Sequence, residues 1–300
     1  MSPQNAATQP APFASLSFMP MLFVVLWSTG FLGAKLGLPH AGPLTFLTLR
    51  FSVVLAIMVP LTFALRSPWP RNWREVGHIA VSGFLNQTFY LIGVFIGISL
   101  GVGAGLTALI IGLQPVITAA IVGRFLGERV TGRQWMGLIL GLIGLALVVW
   151  NKLDLDLNHA VGAGFTTLAL ISITLGTVYQ KRFCSGMDLC SGTIIQNISS
   201  ASVALVGALV LEHWRVTWTG EFVFALGWLV LVLSVVTMML FYWLLKRGAA
   251  SQVVSLFYLV PPVTALLAWF IFGETFGLTA ILGMVLAAVG VALANRTEAA

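Results

Sequence analysis

Ten apolar blocks, each long enough to cross a bilayer, fill the chain almost end to end. They form two sets of five that match at a constant offset of 146 residues. In the most alike stretch, Pro115–Leu147 against Pro261–Leu293, 10 of 33 positions are identical, including Gly127-Glu128 against Gly273-Glu274. The match continues through Gly30/Gly176, Lys35/Lys181, Glu75/Glu221 and Phe95/Phe241 without a gap. A repeat with an odd number of spans must sit upside down relative to its copy. Inverted halves meeting at the bilayer midplane are how many secondary transporters are built.

Of the 300 residues 59% are hydrophobic and 8% charged, where a soluble domain carries about 25% charged residues. The expected spans are 18–36, 44–65, 76–98, 102–124, 132–150, 160–182, 189–211, 221–245, 249–272 and 276–295. The apolar runs are continuous rather than alternating, so helices are expected and not a barrel. The fold class is thus an all-α membrane protein, ten transmembrane helices as two inverted five-helix repeats. The first repeat covers 18–150 and the second 160–296, with a tail at 1–17 and a polar linker at 151–159. Short loops leave no room for a soluble catalytic or nucleotide-binding domain.

The net charge of +6 is a topology label rather than a nucleic-acid footprint. Eleven basic residues (Arg66, Arg71, Arg74, Arg124, Arg129, Arg133, Lys181, Arg182, Lys246, Arg247 and Arg296) fall on the side shared by both termini. Only Lys35, Lys152 and Arg215 fall on the other. The positive-inside rule then puts both termini in the cytoplasm of a multi-pass membrane protein. The tail lacks a positive n-region, so the first block reads as a retained span rather than a signal peptide. Asp154 and Asp156 in the linker lack the glycine and closing glutamate of a calcium loop. Cys184 and Cys190, in a cytoplasmic loop, read as structural.

The fifth and tenth spans carry Gly137, Gly141 and Gly144, then Gly283, Ala287 and Gly290. Spacings of this kind let helices pack closely inside a monomer or across a dimer. Hairpins at 99–105 and 246–251 occupy equivalent places, and each precedes a span broken by proline. Pro115 lies near the middle of span four and Pro261-Pro262 near the middle of span nine. Each proline removes a hydrogen bond and crowds a carbonyl four residues earlier, at Ile111, Phe257 and Tyr258. Such matched breaks point to a transport path and its hinges.

Leu26-Trp27-Ser28 with Lys35, Arg50-Phe51, and Pro115…Gly127-Glu128 repeated as Pro261…Gly273-Glu274 resemble the drug/metabolite transporter superfamily, EamA type. The resemblance covers 18–295 and implies ten helices in two inverted repeats, cytoplasmic termini and export of amino acids or other metabolites. Within the family the overall look is nearest to the YddG-type exporters of aromatic amino acids. One departure is Trp27-Ser-Thr-Gly, where Trp-Gly-Ser is commoner; it bears on cargo rather than fold.

His78, Ser82, Asn86 and Tyr90 recur every four residues along one face of span three. A polar stripe in a membrane helix faces a cavity or another helix, not lipid. Asn86 and Tyr90, at mid-depth, are expected to line a cavity, and His78 to lie at the interface. The other candidates for a substrate lining are Trp27, Ser28, Gln114, Thr174, Tyr179, Gln196, Thr237 and Tyr258. Ser200 is a further polar residue at mid-depth. Arg50 lies inside span two, about 9 Å from its start at 1.5 Å per residue. It could draw a carboxylate, or it could snorkel to the headgroups. Lys35 and Lys181 read as solvated, and Glu128 and Glu274 as stabilising the start of the next helix.

No phosphate-binding glycine loop, no zinc motif and no carboxylate deep in a span is present. No cofactor, metal or catalytic group is expected. The expectation is a carrier of small organic solutes working by alternating access, with a channel or an intramembrane lipid-modifying enzyme as rivals.

Overall fold

The computed structural model describes residues 18–102, 107, 110–150, 160–272 and 277–295. The tail, the linker with Asp154 and Asp156, and Glu274 lie outside the described residues. Helices form wherever apolar residues run on, because in lipid every backbone N–H and C=O needs an internal partner. They are α1 Phe18–Gly37, α2 Pro43–Ala64, α3 Trp73–Ser99, α4 Gln114–Leu126, α5 Gly132–Val149, α6 Ala160–Phe183, α7 Leu189–Leu211, α8 Gly220–Arg247, α9 and α10 Leu278–Asn295. Helix α9 is Ala250–Ser255, a 3-10 turn Leu256–Leu259, and Val260–Phe272. Six of these (α2, α3, α6, α7, α8 and α10) are long and apolar enough to span a bilayer alone. Polar caps begin helices at the water interface: the side chains of Asn72, Thr131, Asp188 and Thr219 each accept a hydrogen bond from a first-turn N–H.

Equivalent helices of the two halves run antiparallel. At the start of α2 the N–H groups of Leu44 and Thr45 donate to Glu212, at the end of α7, each at 2.8 Å. At the other end of the pair, Ser191 Oγ at the start of α7 donates to the Pro68 carbonyl beyond α2, at 2.7 Å. Helices α5 and α10 also run antiparallel, Gly144 lying against Gly283 and Ala287, and Gly137 against Gly290 and Ala294. The small-residue stripe is therefore filled from within the chain. Helix α3 packs on α6 as α8 packs on α1, so contacts survive exchange of the halves.

The basic helix ends gather on one face, here the basic face. There Arg182 Nη1 donates to the Phe125 carbonyl at 2.8 Å, and Lys246 donates to the Met187 carbonyl. Lys181 is not simply solvated, as expected above, but pairs with Glu128 Oε1 at 3.1 Å and donates to the Gly248 carbonyl. Nor does Glu128 serve the next helix: it accepts from Ala250 N at 3.1 Å and so caps α9 of the other half. Gly127 makes this geometry available, ending α4 with a φ of 70° that only glycine adopts without strain.

The proline breaks differ from expectation in one respect. Span four is not a continuous helix with Pro115 at its middle. Ile110 and Ile111 are helical, a turn follows at Gly112-Leu113, and α4 starts afresh at Gln114. Proline is tolerated in a first turn, where its missing N–H would have no partner. In α9 the 3-10 turn likewise comes just before Pro261-Pro262. Gly112 and Tyr258 are equivalent across the repeat, so the breaks match.

One device left no trace in the apolar pattern. Helix α3 contains a π turn at Phe84–Phe89 and α8 another at Leu229–Thr237, again at equivalent positions. A π turn takes in an extra residue and re-aims the side chains beyond it, often at a functional site.

Candidate functional site

The two π turns flank a small cavity between the halves, displaced toward the face opposite the basic one. Its lining comes from α1 (Trp27, Gly30, Ala34), α2 (Arg50), α3 (Asn86, Gln87, Tyr90, Leu91, Val94, Phe95) and α8 (Leu229, Leu233, Ser234, Met238). Of the expected lining residues, Trp27, Arg50, Asn86 and Tyr90 meet here. Arg50 does not reach the headgroups: it is 5% exposed, and its Nε donates to Ser234 Oγ at 2.8 Å. Sequence reasoning missed Gln87 and Ser234, which line the cavity from within the two π turns. The isolated serine in the apolar run Leu229–Val236 was the available signal.

Aromatic rings form the cavity floor. Trp27 lies 6.4 Å from the Tyr90 ring centroid and 4.9 Å, edge-on, from that of Phe257. Phe23 and Phe241 complete the cluster. Phe257 belongs to the 3-10 turn of α9, so Trp27 touches that break through one ring contact.

The other expected residues lie off the cavity, between it and the basic face or within helix packing. Ser28 Oγ donates to the carbonyls of Val24 and Val260 at 2.7 and 3.2 Å, tying α1 to α9. Gln196 donates to Gln180 Oε1 at 3.1 Å and to Ser82 Oγ at 3.3 Å, joining α3, α6 and α7. Gln87 donates to Gln196 Oε1 at 3.4 Å and links this network to the cavity. Ser200 shares a hydrogen bond of 2.9 Å with Thr88. Thr174 and Thr237 satisfy carbonyls of their own helices, Leu170 and Val232. Tyr179 pairs with His78 Nδ1 at 2.7 Å near the basic face. Gln114 donates to Thr177 at 3.3 Å, and Tyr258 packs on Gly141.

Toward the basic face the halves are closed, yet several buried polar atoms there lack a partner. They include Gln114 Oε1, Thr118 Oγ1, Asn197 Oδ1 and the Tyr258 hydroxyl. Each such atom costs about 1–3 kcal/mol relative to its hydrated state. Both cysteines are free and buried, and burial pushes the Cys184 thiol up to about 12.

Comparison with known proteins follows the same outline. The model of the EamA-like transporter family matches residues 15–150 and again 160–296. The uncharacterized transporter YvbV of Bacillus subtilis (strain 168) is 25% identical over 296 residues, 96% of this chain and 94% of its own. A probable amino-acid metabolite efflux pump of Escherichia coli (strain K12) is 27% identical over 281 residues, 91% of this chain and 92% of its own. One solved protein structure matches 94% of this chain and 97% of its own with a TM-score of 0.79 at 17% identity, a likeness of fold.

Proposed function

Because this chain belongs to the EamA-like transporter family, we propose that it is a secondary carrier exporting small organic metabolites, amino acids foremost. It works by alternating access in the bacterial inner membrane, with the basic face and both termini in the cytoplasm. The observation that carries the reading is the one-sided cavity between inverted halves, open space on one side and a closed polar seam on the other. Exchange of conformation between equivalent halves would hydrate the unpartnered atoms of the seam and close the present cavity. The relative named as an amino-acid metabolite efflux pump supports amino acids as cargo. The aromatic floor of Trp27 and Tyr90 favours those with aromatic side chains.

The matched breaks at Gly112-Leu113 and Leu256–Leu259 are the hinges, with Pro115 and Pro261-Pro262 keeping helix from running through them. Pro115→Ala and Pro261→Ala each let helix extend back through the break, where a new hydrogen bond to the carbonyl four residues earlier is worth about 1 kcal/mol. That corresponds to roughly fivefold in the rate of hinge motion. Maximal flux in proteoliposomes should change by that order while half-saturation stays put; unchanged flux in both variants would refute the hinges. The function itself is tested by a proteoliposome flux screen of amino acids, aromatic ones first, with and without a proton gradient. Saturable flux of at least one solute is expected, and flux no faster than through empty liposomes for all of them contradicts the reading.

A further inference from the structure

Among the described residues, the cavity holds a buried cation with no anion to match it. Arg50 donates through Nε to Ser234, and its two terminal nitrogens have no hydrogen-bond partner among the described residues. The described carboxylates, Glu75, Glu128, Asp188, Glu212 and Glu221, all lie at helix ends or in loops. A guanidinium does not shed its proton to escape burial, as a lysine can, so its charge must be met from outside. We propose that Arg50 is the seat for the carboxylate of the transported solute, and that the site selects organic anions with an aromatic or apolar body. The inference rests on the carrier reading.

The geometry specifies the contact further. With Nε engaged by Ser234, the two terminal nitrogens present parallel donors to the cavity, an end-on fork for both carboxylate oxygens. Ser234 is thereby a positioning residue, brought to Arg50 by the π turn of α8. Trp27, Tyr90, Leu91 and Leu233 offer surface for the solute's body. No carboxylate lines the cavity among the described residues, so a solute's amine has no ionic partner there. The seat also favours exchange: a loaded carrier crosses the closed state with its cation matched, an empty one does not.

Three probes separate the groups of one molecule: L-phenylalanine, 3-phenylpropionate without the amine, and phenethylamine without the carboxylate. Thermal unfolding of the purified full chain in detergent should shift upward with both carboxylates and stay unmoved by phenethylamine. Arg50→Gln should weaken carboxylate binding about 10- to 100-fold, the range for charge-assisted hydrogen bonds. It should also raise, not lower, the unfolding midpoint of the empty protein, because an unmatched buried charge is gone. Ser234→Ala should weaken the same two ligands less. The proposal is overturned if phenethylamine binds as well as 3-phenylpropionate, if neither carboxylate binds, or if Arg50→Gln binds them unchanged. A lowered midpoint for empty Arg50→Gln would make Arg50 a structural brace and also overturn it. The carrier reading fails separately, by absence of saturable flux for any solute; saturable flux that Arg50→Gln leaves intact removes only the anion seat.

Discussion

Gly144→Val is expected to abolish folding, while Gly132→Val in the same helix leaves the protein intact. A Cβ at Gly144 would stand 2.4 Å from Ala287 N and 2.6 Å from the Gly283 carbonyl oxygen. These are backbone atoms of α10, which no change of rotamer can move aside. Overpacking of ordinary cores already costs about 1–3 kcal/mol, and here the whole α5–α10 seam must part. At Gly132 an added Cβ meets nothing within 4 Å. Size-exclusion profiles of detergent extracts decide the matter: wild type and Gly132→Val as a single sharp peak, Gly144→Val aggregated. A sharp peak with unchanged thermal midpoint for Gly144→Val would contradict the close seam.

The second large effect is expected at the basic face, from Glu128→Gln. Glu128 Oε1 holds both Lys181 Nζ and the first N–H of α9, each at 3.1 Å, and so joins α4, α6 and α9. Hydrogen bonds to a charged group contribute about 1.5–3 kcal/mol. Without the charge both contacts weaken, which should move the balance toward an open basic face by about 10- to 100-fold. Thr118, buried in the closed seam, and Val94, in the present cavity, report the two sides. In a Cys184→Ala, Cys190→Ala background, Glu128→Gln should speed maleimide labelling of Thr118→Cys and slow that of Val94→Cys. Equal labelling with and without the glutamate would leave the latch without a role.

The outline of this molecule was legible in its sequence wherever the physics is local. Apolar runs gave the helices, the 146-residue offset gave the two halves, and small residues at spacings of three and four marked the α5–α10 seam. The paired prolines located the breaks to within a turn, but not their form. A proline can kink a helix or begin one, and the choice depends on whether the preceding turn holds together without it.

The site was less legible, because a polar side chain inside a membrane must find a partner whether or not a solute passes. Ser28 and Gln196 have the chemistry of cavity residues and serve instead as links between helices. Which face a residue presents depends on helix rotation, and the π turns alter that rotation without a sequence mark. Gln87 and Ser234 therefore reach the cavity, while Thr237, also in the α8 π turn, bonds its own helix. Glu128 was read from its neighbours in the chain, whereas its partners lie on α6 and α9, far along the sequence.

Alternating access is tested most directly by labelling from both sides. Val94→Cys and Thr118→Cys proteins are reconstituted in oriented proteoliposomes and treated with a membrane-impermeant maleimide, outside or inside. Each position is expected to react from its own side only, and conditions that speed one should slow the other. Simultaneous, independent reaction at both would describe a channel. A Thr118→Cys that never reacts, even beside Glu128→Gln, would mean the seam does not open, and the carrier account would fall.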